Sequence, residues 1–287
     1  MKRLVRRALG VALTAAVITT AAAAPVRAAE GGVNDPDCQP SAAHPNPVVF
    51  LHGLGANKNA DTNVMQDEIA SQGYCTYSLT YGAHEEFPFV GGLRPIADSA
   101  QEIRAFILDV LATTGASTVD IVGHSEGGFQ SLYVTKTQGI ADKIDKVIAI
   151  APPTHGTTFG GLYALAYVYG DTSRDLVDEA LKTVGCAACT DLGPDGDAVE
   201  VLTDGPIAQQ GVTYTIITST NDQMVTPTET SFVPEPGVDN KYVQETCPHD
   251  PVGHIGEAYD TNVWNMVTNA LDPANAMPFP CSAGFPF

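Results

Sequence analysis

Ser125 stands in Gly123-His124-Ser125-Glu126-Gly127, a serine with a glycine two residues to either side. The bare pattern G-x-S-x-G turns up by chance in about one chain in ten of this length at average glycine and serine usage, so the pattern alone decides nothing. Its context decides. The β-branched run Val119-Asp-Ile-Val122 leads straight into it and a stretch with helical spacing, 127–136, leads straight out. That is the strand–turn–helix arrangement which presents a serine Oγ on a sharp turn. Glycines on both sides let the backbone bend and keep side chains away from the hydroxyl.

A serine hydroxyl is a poor nucleophile until a base takes its proton. Seven histidines are available. His44 sits in a Pro-rich segment, His84 in an acidic loop and His52 in a tight turn after a strand. His124 adjoins Ser125 but is directed away by the turn, and His155 belongs to a Pro-Pro-Thr-His-Gly stretch. His249 and His254 remain. His254 is the expected base, because it lies in the glycine-flanked loop Asp250-Pro-Val-Gly-His254-Ile-Gly just ahead of a helical segment, where the order Ser, Asp, His would place it. Two acids compete to orient the imidazole. Asp222, in Ser219-Thr-Asn-Asp222, emerges just beyond the apolar run 212–217, on the same edge as the serine. Asp250 is nearer in sequence, but it precedes Pro251, which restricts the fold-back needed to reach the ring. Asp222 is preferred.

Acyl transfer also needs donors for the charge that develops on the carbonyl oxygen. The backbone N–H of Glu126, at the start of the following helix, is one candidate. The other comes from the loop His52-Gly53-Leu54-Gly55, with the Leu54 amide preferred and Gly53 the runner-up.

These residues need a frame that brings them to one edge. Pro47-Val-Val-Phe-Leu51 reads as a short buried strand, followed by strands at 75–79, 119–122, 146–150 and 212–217. Helical spacing fills 96–113, 127–136 and 257–271. Strands alternating with helices imply an α/β chain with a mainly parallel central sheet flanked by helices. Between the fourth and fifth of these strands lies an insertion, 156–211, opening with Phe159, Leu162, Tyr163, Leu165, Tyr167, Val168 and Tyr169. It reads either as extra packing or as a cap or lid over the site.

Residues 1–28 have a basic start (Lys2, Arg3, Arg6, Arg7), an apolar Ala-rich run and a small-x-small site at Val26-Arg27-Ala28, which reads as a secretory signal peptide. Its removal takes away five of the 14 Lys+Arg and none of the 33 Asp+Glu, leaving residues 29–287 as a single domain with a net charge of −24. Such a surface repels nucleic acid and anionic membranes. Six cysteines suit an oxidising destination. Cys186-Ala-Ala-Cys189 has no second pair and no histidine pair to make a zinc site, so a short disulfide is expected. Six cysteines allow fifteen pairings. The expected set is three local clasps, Cys38–Cys75, Cys186–Cys189 and Cys247–Cys281.

The stretches Val48-Val-Phe-Leu-His-Gly-Leu-Gly55, Val119-Asp-Ile-Val-Gly-His-Ser-Glu-Gly-Gly128, Ala151-Pro-Pro-Thr-His-Gly-Thr157, Ser219-Thr-Asn-Asp222 with Val225-Thr-Pro, and Val252-Gly-His-Ile255 recur in this order. In this the chain resembles the small bacterial triacylglycerol lipases of the class 2 type, over most of residues 48–271. The resemblance implies an α/β-hydrolase fold and an extracellular carboxylester hydrolase without cofactor or metal, and it carries Ser125, Asp222, His254 and the amides of Leu54 and Glu126 onto the family's catalytic positions. A small-molecule or lipid ester, met at a lipid–water interface, is the implied substrate, and no protein partner is implied. Glu126 departs from the uncharged residue common in the family, and its carboxylate beside the pocket is expected to disfavour anionic substrates. A cutinase-like polyester hydrolase, a peptidase or amidase with the same triad, and a non-catalytic binding module are the alternatives.

Overall fold

The structure, a computed structural model, describes residues 31–159 and 185–287. The expected leader, 1–28, and six of the aromatic and aliphatic residues that open the insertion (Leu162, Tyr163, Leu165, Tyr167, Val168 and Tyr169) lie outside them.

Among the described residues seven strands form one sheet: β1 (Gly32–Val33), β2 (Val48–Leu51), β3 (Cys75–Ser78), β4 (Val119–His124), β5 (Ile144–Ile150), β6 (Thr213–Thr218) and β7 (Val238–Tyr242). They lie in the order β1-β3-β2-β4-β5-β6-β7, and every pair is parallel. Parallel pairing needs crossovers, and these run through helices on both faces. This explains why β2 and β4 are buried along their whole length, with no polar alternation to announce a solvent face.

Period-two geometry divides each strand between two cores. Val49 and Leu51 of β2, Ile121 of β4, and Val147 and Ala149 of β5 enter one core. That layer is completed by helices α2 (Ile96–Thr114) and α3 (Glu126–Thr137). Val48, Phe50, Val122, Ile148 and Ile150 enter the other, beneath α1 (Asn63–Ser71) and the last long helix. α2 stops at Gly115, whose φ of 69° provides the left-handed residue that closes a helix C-terminus.

The insertion contributes α4 (Ala187–Asp191) and α5 (Asp197–Thr203), and their Ala188, Val199 and Leu202 belong to the first core. After β7 come the short helices α6 (Val243–Thr246) and α7 (His254–Glu257), then α8 (Thr261–Leu271). The sequence reads 257–271 as one helix, but the structure breaks it. Asp260 adopts extended backbone and its carboxylate accepts from the N–H groups of Asn262 and Val263, capping α8 afresh.

Disulfides join Cys38 to Cys75, Cys186 to Cys189 and Cys247 to Cys281, the three expected pairs, with Cα separations of 5.7, 5.3 and 5.6 Å. Among the described residues no helix is long and apolar enough to cross a membrane.

Candidate active site

Ser125 occupies the turn between β4 and α3 with φ 55° and ψ −123°, a backbone conformation that side chains rarely adopt. The turn is held from both sides: its N–H donates to the carbonyl of Ile150 (2.8 Å), and its own carbonyl accepts from Phe129 N–H at 3.0 Å. The flanking glycines serve the approach of α3 to the sheet. A Cβ at Gly123 would strike the carbonyl of Gly127, and one at Gly127 would strike that of Leu51.

Three side chains from three separate loops meet at the carboxyl ends of the strands. His254 Nε2 lies 2.8 Å from Ser125 Oγ, and His254 Nδ1 lies 2.8 Å from Asp222 Oδ2. Asp222 is buried, and its second oxygen accepts from the N–H groups of Met224 (2.7 Å) and Val225 (2.9 Å). The carboxylate therefore has its direction set by backbone before the histidine arrives.

Asp250 is not among the hydrogen-bond partners of the imidazole ring. Its Oδ1 accepts from Val252 N–H and Gly284 N–H, and its Oδ2 from Asn262 Nδ2 at 2.6 Å. It shapes the loop that carries His254. That loop is also braced by residues beyond the Cys247–Cys281 bridge, Gly253 N–H donating to Phe285 O and Gly256 N–H to Phe287 O, while Gln223 Nε2 in the Asp222 loop donates to Pro286 O.

Of the amides expected to face the carbonyl oxygen, Gly53 is committed elsewhere, donating to Asp61 Oδ2 at 2.7 Å. Gly55 donates to Gly91 O. Leu54 lines the cleft beside Ser125. Glu126 supplies the first residue of α3, but its side chain corrects the sequence reading. The carboxyl group is fully buried beneath Gly92 and away from the cleft, so it presents no charge to a substrate. Burial holds its pKa well above the ordinary carboxylate value, with Asp191 adding repulsion. The helix turns this side chain down into the core, a direction that residue order does not reveal.

The remaining histidines are engaged or remote. His52 is buried, stacks on Tyr81 with ring centroids 4.3 Å apart, and is kept below its ordinary pKa by burial. His84 bonds to Gly185 O, His155 to Thr230 O, and His249 is exposed. His124 is the exception that sequence reasoning undervalued. It lines the cleft, yet its nitrogens reach Asp61 Oδ1 (2.8 Å) and the backbone carbonyl of His254 (2.9 Å) rather than Ser125. Asp61 lies 63 residues upstream of it, and no local signal links the two.

Among the described residues, His124, His254 and Glu257 are close enough to hold a metal ion. All four imidazole nitrogens are already engaged in hydrogen bonds. Glu257 is fully buried, and its pKa is raised far above the ordinary range by burial and the nearby Asp222 charge. A neutral acid is a poor ligand for a hard cation.

A cleft of about 380 Å³ opens over Ser125, with Leu54, Phe159, Leu192, Met224, Val225 and Ile255 among its lining. The walls are predominantly apolar, with Ser125, His124 and His254 among the polar groups that line them. Phe159 and Leu192 belong to the insertion, which thus reaches the site.

The family described as class 2 lipase matches residues 45–254. A triacylglycerol lipase of Pseudarthrobacter phenanthrenivorans is 28% identical over 142 residues, which cover 48% of this chain and 38% of that protein. One of Burkholderia plantarii is 28% identical over the same length, covering 34% of its chain. The match thus spans about a third of the length of these curated relatives. Among solved structures, Aspergillus fumigatus lipase B superposes with a TM-score of 0.61 at 18% identity, over 86% of this chain and 61% of its own. At that identity the likeness speaks for the fold, which is that of the α/β hydrolases.

Proposed function

The chain belongs to the class 2 lipase family, and on that premise we propose that it is a secreted serine carboxylester hydrolase that cleaves lipid esters through an acyl-enzyme. The observation that carries this reading is the bonding of His254, with Ser125 Oγ on one nitrogen and Asp222 on the other, in the wall of a predominantly apolar cleft.

Ser125 Oγ attacks the ester carbonyl carbon while its proton passes to His254 Nε2. The carbonyl π electrons move onto oxygen, and the oxyanion is held by the N–H groups of Leu54 and Glu126, the former favoured over Gly53 because the Gly53 amide is taken by Asp61. Asp222, bonded to Nδ1, keeps the productive tautomer and stabilises the imidazolium. The tetrahedral species collapses, the bond to the alcohol oxygen breaks, and the proton on Nε2 goes to the departing alkoxide. Water, deprotonated by the same nitrogen, then attacks the acyl-enzyme, and the acid leaves as Ser125 recovers its proton.

Supporting a lipid substrate are the exposed apolar side chains beside the cleft, Met224, Ile255 and Tyr259. Phe159 and Leu192 in the wall support the insertion 156–211 as a roof on a single domain of residues 29–287. Secretion is supported by the leader-like residues 1–28 and by three disulfides. Hydrolysis of p-nitrophenyl esters of graded chain length by the purified protein is the test. Turnover extending to long acyl chains is expected; activity on short esters alone would favour an esterase, and indifference to all of them would leave a binding module.

A further inference from the structure

His124 is buried, and both of its ring nitrogens face acceptors. The partner of Nε2 is a backbone carbonyl, which can only accept, so Nε2 must carry a hydrogen. The partner of Nδ1 is Asp61, whose other oxygen already accepts from Gly53 N–H. Against burial, the His124 charge and bond hold Asp61 below its ordinary pKa, so its carboxyl group is ionised and offers Nδ1 only an acceptor, which requires a hydrogen on Nδ1 as well. The imidazolium is the form that satisfies both bonds. Neither nitrogen is left to compete for the Ser125 proton.

The bonds form a chain across the site. Gly53 in the loop after β2 is tied to Asp61, Asp61 to His124 at the end of β4, and His124 to the main chain of His254 at the start of α7. Asp61 itself sits at φ 74°, and its N–H donates to Tyr259 Oη (2.9 Å), which ties it to the segment after α7 as well.

We propose that Asp61 and the His124 imidazolium are positioning residues, a buried ion pair that fixes the loop carrying His254 against the Gly53–Leu54 loop. The inference rests on the catalytic reading above and deepens it. Its consequence is geometric, since a displacement of about 1 Å in a reacting group costs on the order of a hundredfold in rate.

The pair also responds to pH. The groups facing His124 are Asp61, Asp222, Glu257 and His254, whose ring centroid lies 5.0 Å away, with His52 against Asp61. Burial disfavours the charged imidazole, but the Asp61 charge and bond, the His254 carbonyl and Asp222 outweigh it and raise its pKa. Burial likewise opposes ionisation of Asp61, and the His124 charge and bond outweigh it, so its pKa is lowered. The clamp is therefore held below the raised His124 pKa and is lost as pH rises through it.

The charge state is read directly in ¹⁵N-labelled Ser125→Ala protein, in which nothing turns over. At pH 7.5, above the ordinary histidine pKa of about 6.5, ring ¹⁵N shifts should show both His124 nitrogens protonated. A single protonated nitrogen would overturn the inference. In protein with Ser125 present, Asp61→Asn should lower kcat roughly ten- to a hundredfold, leave KM within about threefold, and move the alkaline fall of kcat/KM to lower pH. A folded Asp61→Asn protein, judged by circular dichroism, that keeps the original kcat and alkaline limb would overturn it too. An unmodified enzyme without ester turnover would overturn this inference together with the catalytic reading, whereas an active enzyme with a neutral His124 overturns this inference alone.

Discussion

Strand β4 has a buried acid at one end and the serine at the other. At its amino end Asp120 lies 3.5 Å from Lys146 and 3.1 Å from Asn46, and burial pushes its pKa up to about 7 against the pull of Lys146. Beyond its carboxyl end, Asp222 is also buried, but two backbone amides and His254 surround its oxygens. The carboxyl group whose pKa burial raises to about 7 sits at the end of the strand away from Ser125. Burial alone therefore does not mark the chemistry. What distinguishes the carboxyl end is convergence: loops after β2, β4 and β6 and the start of α7 aim groups at one cleft, as open parallel sheets do at that edge.

The contrast can be broken from either end. Ser125→Ala should abolish turnover by roughly a factor of 10⁶, the scale at which loss of a serine nucleophile is felt, with the fold retained by circular dichroism. Retention of a tenth of the activity would assign the work to another serine. Asp222→Asn should lower kcat by about 10⁴ with little change in KM, because the amide leaves the wrong tautomer facing the serine. Asp250→Asn, in the loop that carries His254 but not bonded to its ring, should lower kcat by less than about tenfold and act chiefly on thermal stability, since it disturbs the bonds to Val252, Gly284 and Asn262. If Asp250→Asn proved the crippling change and Asp222→Asn the mild one, the assignment of the acid would be wrong.

At the amino end, Asp120→Asn should leave kcat within about twofold of its original value. Its effect belongs to stability. Asp120 titrates higher in the folded chain than the ordinary 3.8, so the folded form binds its proton more tightly than the unfolded form does. That contribution is full below about pH 4 and is lost as pH rises toward about 7. Asp120→Asn should flatten this part of the melting temperature against pH curve. An unchanged slope would mean that Asp120 is ionised throughout.

How far the sequence foretells all this depends on the distance over which its signals act. Continuous apolar runs, Val48–Leu51 among them, announce buried parallel strands because both faces are covered. Chain order and flanking glycines single out Ser125, Asp222 and His254, the three groups the structure brings together. β7 is different: its Val-Asp-Asn-Lys-Tyr has no apolar alternation, because an edge strand is only half covered. The break at Asp260 was hidden by helical spacing on both sides of it. The Asp61–His124 pair left no trace, since its residues meet only through the packing of β2 beside β4. Glu126 reads as polar and near the serine, and only the helix direction places its carboxyl group in the core.

The most direct test of the central claim is the stoichiometry and position of labelling by a serine-reactive phosphonate, read by intact mass and peptide mapping. One equivalent per chain is expected, on the peptide containing Ser125, with none in Ser125→Ala and much slower labelling in Asp222→Asn. Labelling of a different serine, or none at saturating reagent in a folded protein that hydrolyses esters, would contradict it.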